Sequence, residues 1–240
     1  MSQFLVSVRD ANEAVLACQS GVNIVDVKEP NRGSLGRADW SAMADVVRSV
    51  GKIDSSVPVS VALGELSEVD FNDSNNWHSR LAGVSFAKLG MANAPADWRT
   101  RWDRVMSALP CEIGRVAVAY ADWEQANSPN PLDIVRFASE RDCKVVLVDT
   151  FSKVSGGLFQ RLSKSEVKQL IVAISDQGMK SAMAGSLDEV AIETLLPMNP
   201  DIIAVRGVVC DGERTGAIDA AKVSAISRMV LSGPVHASDV

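Results

Sequence analysis

Charged side chains recur where short apolar runs end in this sequence of 240 residues. In the run NIVDVK, Asp26 and Lys28 are two positions apart, and alternate residues of a β-strand point to the same face. The run FAKLG carries Lys88, while VVLVDT carries Asp149 and is followed by Lys153. Buried charges are costly unless they are paired or functional. The pattern therefore predicts either ion pairs at the rim of the fold or a functional site.

Clustered lysines and aspartates can perform two kinds of chemistry. A lysine that lies among other cations and away from water has a lowered pKa, so its neutral amine can form a Schiff base with a carbonyl carbon. The other lysines can hold anionic groups of a substrate, and paired aspartates can move protons between carbon and oxygen. Asp122, at the end of AVAYAD, is a further candidate, with a solvated loop charge as the alternative.

Three glycine-bearing turns indicate phosphate binding. Barrels often bind phosphate with the loops after strands seven and eight, where helix N-terminal amides supply donors. The segment that begins at Ser186 also has the pattern of a helix capping box, and the two roles are compatible. The residues predicted to contact substrate or its phosphate are Gly33, Ser34, Asp122, Gly185, Ser186, Arg206 and Gly207.

Eight apolar, β-branched runs must position these residues. The runs are 4–8, 23–28, 57–63, 86–90, 115–122, 144–150, 180–185 and 202–207. The segments between them carry helical signals, such as capping boxes at Asp10 and Ser163 and a short helix expected at 75–83. Strands that alternate with helices pair in parallel through right-handed crossovers. The fold class predicted is therefore α/β, a single (β/α)8 TIM barrel with its site at the carboxyl ends of the strands.

A doubly wound open sheet is the alternative architecture. To bind a dinucleotide it would need a glycine-rich turn after the first strand, and the sequence VRD at 8–10 has no glycine there. No linker or low-complexity tract divides the chain. We expect one catalytic domain over 1–231 and a flexible C-terminal tail over 232–240.

Composition narrows the possible partners. The net charge is −6, without a basic stripe, so nucleic acid is not an expected partner. No apolar run approaches the roughly 20 residues that cross a bilayer, and the N-terminal residues lack the features of a signal peptide. Four cysteines without a C-x-x-C pair and two histidines make a zinc site unexpected. We expect a cytoplasmic protein without a metal, and a homo-oligomer is the common default for such barrels.

The motifs together resemble a known family, the (5-formylfuran-3-yl)methyl phosphate synthases, over nearly the full chain. The segments that carry the resemblance are NIVDVKEPNRGSLG, FAKLG, AVAYAD, VVLVDTFSKVSGGLF, AMAGSL and DIIAVRGVVCDGERTGAID. The resemblance implies a barrel enzyme without a cofactor. Such an enzyme condenses two molecules of glyceraldehyde 3-phosphate into 4-(hydroxymethyl)-2-furancarboxaldehyde phosphate, with loss of phosphate and water, for methanofuran-type cofactors.

The resemblance also implies roles for individual residues. Lys28 corresponds to the lysine that forms the Schiff base, with Lys153 as the competing candidate, and Asp26 is its neighbouring acid or base. Lys88, Asp149 and Lys153 match the remaining catalytic positions of the family.

Three other functions remain open from the residues. A decarboxylase of the orotidine-monophosphate type has the motif D-x-K-x-x-D, but Asn31 stands at the last position here. A Schiff-base aldolase that acts on another phosphorylated sugar would use the same lysines and stop before elimination. A non-catalytic barrel that binds phosphometabolites would keep the glycine turns without needing the lysines.

Overall fold

Eight parallel strands close into a barrel in chain order in a computed structural model that describes residues 1–71, 77–154 and 156–232. Strand β8 pairs with β1, which closes the sheet. The strands are β1 (Gln3–Val8), β2 (Ile24–Val27), β3 (Val59–Glu65), β4 (Phe86–Gly90), β5 (Gly114–Tyr120), β6 (Val145–Asp149), β7 (Lys180–Met183) and β8 (Ile202–Val205). Closure confirms the predicted (β/α)8 barrel and excludes the open sheet.

Helices follow the strands and cover the outside of the barrel. They are α1 (Ala11–Gln19), α2 (Trp40–Ile53), α3 (Trp77–Arg80), α4 (Trp98–Ser107), α5 (Pro131–Ser139), α6 (Leu158–Arg161), α7 (Lys164–Asp176), α8 (Glu189–Leu195) and α9 (Ala220–Ser232). The capping box at Ser163 is confirmed, because Ser163 and Glu166 each accept from the other's backbone N–H.

Two expectations fall partly outside the described residues. Of the short helix expected at 75–83, the structure describes the part from residue 77 onward, where α3 covers Trp77–Arg80. The tail expected at 232–240 lies outside the described residues except for Ser232, which ends α9. The described residues include no helix long and apolar enough to cross a membrane.

Strand alternation divides the core into two layers. On β1, Phe4 and Val6 point outward and pack under the helices. Leu5 points inward and packs in a second cluster with inward residues such as Val118 and Leu147. Because each parallel strand is covered on both faces, its sequence reads as a nearly continuous apolar run. Where an inward position near a strand's carboxyl end is charged instead, the side chain faces the barrel mouth.

Candidate active site

The inward alternation of three strands brings the predicted charges together. Asp26 is an inward residue of β2, Lys88 of β4 and Asp149 of β6, and each is at least nine-tenths buried. Lys28 follows β2 directly and Lys153 lies in the loop after β6. All five of these predicted catalytic residues line one cavity at the carboxyl ends of the strands, the position of active sites in TIM barrels.

Asp26 and Lys88 form a buried ion pair across the barrel. Asp26 also accepts a hydrogen bond of 2.9 Å from the hydroxyl of Ser7 on β1. Burial alone would raise the pKa of Asp26, but the charges of Lys88 and Lys28 outweigh it and hold the pKa below its ordinary value. Asp26 is therefore ionised at neutral pH and Lys88 is held in place by it.

Asp149 forms the second pair, with Lys153 at 2.6 Å. The backbone N–H of Thr150 donates to Asp149 at 2.7 Å, and the hydroxyl of Ser34 donates at 3.1 Å. Burial would raise the pKa of Asp149, but Lys153 and Lys28 together with the backbone N–H of Thr150 lower it to about 2. Asp149 is thus a fixed negative charge beside Lys28.

Lys28 lies between the two pairs and differs from both other lysines. Burial is the largest cause that lowers the pKa of its amine, and the cations of Lys153 and Lys88 add to it, while Asp149 and Asp26 oppose it. The result is a pKa of about 8 instead of 10.5. Among the described residues, no carboxylate forms an ion pair with Lys28, whereas Lys88 and Lys153 each have one. Lys28 is the amine of this cluster best prepared to act as a nucleophile.

The cavity above the cluster has a volume of about 250 Å³. Its walls come from β1, β2, β4, β6 and β8 and from the loops after β2, β6, β7 and β8. The charged residues in its lining are Asp26, Lys28, Lys88, Asp149, Lys153, Asp188, Arg206 and Arg214. The cavity therefore combines a nucleophilic amine with several cations, which suits a phosphorylated carbonyl compound.

Arg206 lines the cavity, but its guanidinium is used within the protein. It forms a buried ion pair with Glu13 on α1 at 2.9 Å. Its remaining donors bond to the carbonyls of Ser7, Arg214 and Gly216, at 2.7 to 2.8 Å. All five N–H groups of the guanidinium thus have protein acceptors. This arrangement differs from the predicted phosphate-binding role and makes Arg206 a structural anchor.

Asp122 also has a different environment from the one predicted. It lies outside the lining of the cavity. Its two carboxylate oxygens accept hydrogen bonds of 2.7 and 2.9 Å from the backbone N–H groups of Phe151 and Ser152. Asp122 therefore fixes the start of the loop that carries Lys153, and it has no contact with the space where a substrate would lie.

The turn at 33–36 contributes Leu35 to the cavity wall, and its other residues support the site from behind. Neither Gly33 nor Ser34 lines the cavity. Ser34 is buried and donates to Asp149 and to the carbonyl of Thr150. A Cβ on Gly36 would lie 2.2 Å from the carbonyl oxygen of Glu29, so close packing of the turn accounts for this glycine. Ser34 therefore positions Asp149, whereas the sequence predicts that Gly33 and Ser34 contact the substrate.

Gly185, Ser186 and Gly207 line the cavity at the loops after β7 and β8, as the barrel pattern predicts. Gly185 and Ser186 have positive φ angles of 102° and 48°, and the second is uncommon for a residue with a side chain. The predicted capping box at Ser186 is wrong, because Asp188 caps α8 by accepting from Ala191 N–H. Ser186 therefore lines the cavity without capping α8.

Several supporting residues had little signal in the sequence. Ser7 lies two positions beyond Leu5 on β1, and its polar side chain at an inward position could have been recognised from strand alternation. The capping box predicted at Asp10 is half formed: Glu13 N–H donates to the Asp10 carboxylate, but the carboxylate of Glu13 accepts from Arg9 and Arg206 instead of Asp10 N–H. Its partner Arg206, which directly follows β8, is 193 residues away, so spacing could not reveal the pair.

Glu65 and Tyr120 form another unexpected buried pair outside the cavity. The hydroxyl of Tyr120 donates to Glu65 at 2.6 Å, and burial raises the pKa of both groups. The register of β3 and β4 shifts between Ala62 and Glu65. A Cβ on Gly90 would lie 2.1 Å from the Glu65 carboxylate, so this glycine makes room for it.

Solved structures show which class of protein has this architecture. Thiamine phosphate pyrophosphorylase from Pyrococcus furiosus superposes with a TM-score of 0.61 at 9% identity, over 96% of each chain. Orotidine 5'-monophosphate decarboxylase from Methanocaldococcus jannaschii superposes with a TM-score of 0.60 at 11% identity, over 96% of this chain and 99% of that one. At such low identity the likeness concerns the fold alone. The fold and the charged cavity define the class: a TIM-barrel enzyme with its site at the carboxyl ends of the strands.

The chain belongs to the 4-HFC-P synthase family, whose model matches residues 4–227. A (5-formylfuran-3-yl)methyl phosphate synthase from Methanosarcina barkeri is 30% identical over 224 residues, which are 90% of this chain and 94% of that protein. Synthases of the same name from Methanopyrus kandleri and Archaeoglobus fulgidus are 31% and 28% identical, over 90% and 89% of this chain. Membership in this family confirms the resemblance of the motifs.

Proposed function

We propose that this protein condenses two molecules of glyceraldehyde 3-phosphate into 4-(hydroxymethyl)-2-furancarboxaldehyde phosphate through a Schiff base on Lys28. The observation that carries the proposal is Lys28 itself, an amine with a pKa of about 8 between two lysine–aspartate pairs. At pH 7 about a tenth of such an amine is neutral, compared with about 0.03% at a pKa of 10.5. The relatives' name supports a furan phosphate as the product and a role in methanofuran-type cofactor synthesis.

The residues of the cavity suit the successive steps. The neutral amine of Lys28 adds to the aldehyde of one triose phosphate and releases water, which gives an imine. An ionised carboxylate, Asp26 or Asp149, takes the proton from the adjacent carbon, which turns the imine into an enamine. The enamine expels the phosphate from the third carbon of this molecule, which leaves an enol whose terminal carbon is nucleophilic. This carbon bonds to the ketone carbon of the second triose phosphate, which the same carboxylates isomerise from the aldehyde through an enediol. The ketone oxygen takes a proton from the ammonium group of Lys88 or Lys153.

Elimination and ring closure complete the proposed reaction. The primary hydroxyl of the second molecule adds to the carbonyl carbon next to the imine, which closes the ring. Two waters are then eliminated, and hydrolysis of the imine releases the aldehyde and the amine of Lys28. Two triose phosphates then yield one furan phosphate, one inorganic phosphate and two waters, so that all atoms balance. Gly185, Ser186 and Gly207 lie where they can contact a retained phosphate at the cavity wall.

The purified chain incubated with glyceraldehyde 3-phosphate alone tests this proposal. We expect a furan absorbance to appear together with one inorganic phosphate per furan, and we expect Lys28→Met to abolish both. A carbon–carbon bond without phosphate release would favour an aldolase that stops before elimination. Stabilisation by the triose phosphate without any turnover would favour a non-catalytic binding barrel.

The proposal includes a cytoplasmic setting and allows a homo-oligomer. All four cysteines are unpaired in the structure, which supports a reducing compartment. Triose phosphates are the proposed small-molecule partners, and neither a metal nor an organic cofactor enters the proposed steps, because the imine itself serves as the electron sink.

A further inference from the structure

The loop after β8 forms a strap over one side of the cavity, which we define as residues 210–218. Its two ends pair as an antiparallel bridge between Cys210 and Ile218. The backbone N–H of Asp211 also donates to the carbonyl of Ala217 at 2.8 Å. A Cβ on Gly216 would lie 2.3 Å from the carbonyl oxygen of Asp211, so the strap closes tightly on itself.

Two arginines hold the strap from beneath. Arg206 donates to the carbonyls of Arg214 and Gly216, and Arg9 donates to the carbonyl of Thr215 at 2.7 Å. Both guanidiniums are bound in turn by the carboxylate of Glu13. Three successive carbonyls of the strap are thereby fixed to the body of the barrel, and the backbone position of Arg214 is set.

The side chain of Arg214 extends from the strap into the wall of the cavity. Its guanidinium reaches the loop after β2, where it donates to the carbonyls of Pro30 at 3.2 Å and Gly33 at 3.3 Å. These are long hydrogen bonds to neutral acceptors. Within the described residues, Arg214 has no ion pair, and burial lowers the pKa of its guanidinium. The side chain is a half-buried cation without a neutralising partner.

The other cations of the cavity are already used. Lys88 and Lys153 are paired with aspartates, and Arg206 has all five donors occupied. Lys28 is the proposed nucleophile and is not available to hold a phosphate. A guanidinium is well suited to bind phosphate oxygens with two parallel N–H groups. We propose that Arg214 binds the phosphate group of a triose phosphate in this cavity, on the side of the β2 and β8 loops.

This inference rests on the proposed function, because it assumes a phosphorylated aldehyde as the substrate. It adds a residue that selects phosphorylated over unphosphorylated aldehydes. In the bound state the phosphate replaces the two backbone carbonyls as the acceptor for Arg214, which exchanges weak neutral hydrogen bonds for charge-assisted ones. Asp188, which follows β7 and caps α8, is the carboxylate of the lining that does not belong to a lysine pair.

Arg214→Gln tests the inference with a pair of aldehyde probes. Borohydride reduction traps the lysine imine formed by glyceraldehyde 3-phosphate or by unphosphorylated glyceraldehyde, over a range of concentrations. We expect the half-saturating concentration of the phosphorylated aldehyde to rise about 30-fold, the loss expected from removing charge-assisted hydrogen bonds. We expect trapping by glyceraldehyde to stay within about twofold of the wild type. Arg228→Gln, which changes an exposed arginine of α9, serves as the matched control.

Each outcome decides the inference separately from the proposed function. An unchanged preference for the phosphorylated aldehyde in Arg214→Gln would overturn the phosphate-binding role. An equal loss with both aldehydes would also overturn it and would make Arg214 a structural part of the strap. If the wild type prefers the phosphorylated aldehyde but makes no furan, the proposed condensation is wrong. The role of Arg214 is then still decided by how Arg214→Gln changes the ratio of the half-saturating concentrations of the two aldehydes.

Discussion

Replacing Lys153 by methionine should raise the pKa of Lys28. Lys153 is the foremost of the two neighbouring cations that lower this pKa, and it also neutralises Asp149 at 2.6 Å. Lys153→Met removes a repelling positive charge and frees an attracting negative one. Both changes favour the protonated form of Lys28, so their effects have the same sign.

The size of the shift follows from the causes of the present value. The pKa of Lys28 is lowered from 10.5 to about 8, with burial as the largest cause and the lysines as smaller ones. We therefore assign about one pKa unit to the loss of Lys153, which corresponds to about 1.4 kcal/mol. Near pH 7.5 the neutral fraction of Lys28 should fall from about 24% to about 3%, which is about eightfold.

Imine trapping as a function of pH measures this shift. Unphosphorylated glyceraldehyde is the probe, because it carries no phosphate whose binding a lost positive charge could weaken. The rate of borohydride-trapped adduct is followed from about pH 6 to about pH 11. We expect the midpoint to move up by about one unit and the rate to recover at high pH. Lys52→Met, which changes an exposed lysine of α2, should leave the midpoint unchanged.

Two results would refute this reasoning. A midpoint that stays within a few tenths of the wild-type value would show that Lys153 does not set the pKa of Lys28. A rate that stays low even at the alkaline end, where Lys28 is neutral in both proteins, would show that the substitution damages the site by another route.

Three further predictions concern stability. Lys28→Met should raise the free energy of unfolding near pH 7 by about 3 kcal/mol, because the fold holds the pKa of Lys28 below its value in the unfolded chain. Urea unfolding measures this gain. The gain should vanish above about pH 10.5, where the lysine is neutral in both the folded and the unfolded state. The pKa of Asp149 is lowered to about 2, so the stability that its ionised form contributes is complete above about pH 4 and is lost as the pH falls. In acid unfolding, Asp149→Asn should reduce the change in the free energy of unfolding with pH by about 2 kcal/mol. An unchanged dependence on pH would contradict this assignment. Lys88→Met should lower the free energy of unfolding by about 3 to 5 kcal/mol, because Asp26 then stays buried without its ion-pair partner. Thermal unfolding should show most of this loss recovered when Asp26→Leu is added, and no recovery would contradict the assignment.

The barrel could be predicted because its signals are local. Each strand is covered on both faces, so an apolar run and its flanking turns are enough to recognise it. Alternation along the run 23–28 also predicts that Asp26 and Lys28 lie on one face. The five predicted catalytic positions line one cavity for this reason, since every parallel strand of a closed barrel ends at the same mouth.

The pairing of these charges could not be predicted in the same way. Asp26 bonds to Lys88, 62 residues further along the chain, because the closed sheet sets the relative heights of β2 and β4. Arg206 forms its ion pair with Glu13, on a helix whose sequence has the pattern of an ordinary capped helix. Arg214 reaches the cavity from an irregular loop without any periodic pattern. These contacts depend on the register between distant strands and on loop conformation, and neither can be predicted from the spacing of residues along the sequence.

The position of the trapped imine tests the central claim most directly. The wild-type chain is reduced with borohydride in the presence of glyceraldehyde 3-phosphate, digested, and its peptides are analysed by mass spectrometry. We expect the reduced adduct on Lys28. An adduct on Lys153 or Lys88, with Lys28 unmodified, would contradict the assignment of Lys28 as the nucleophile.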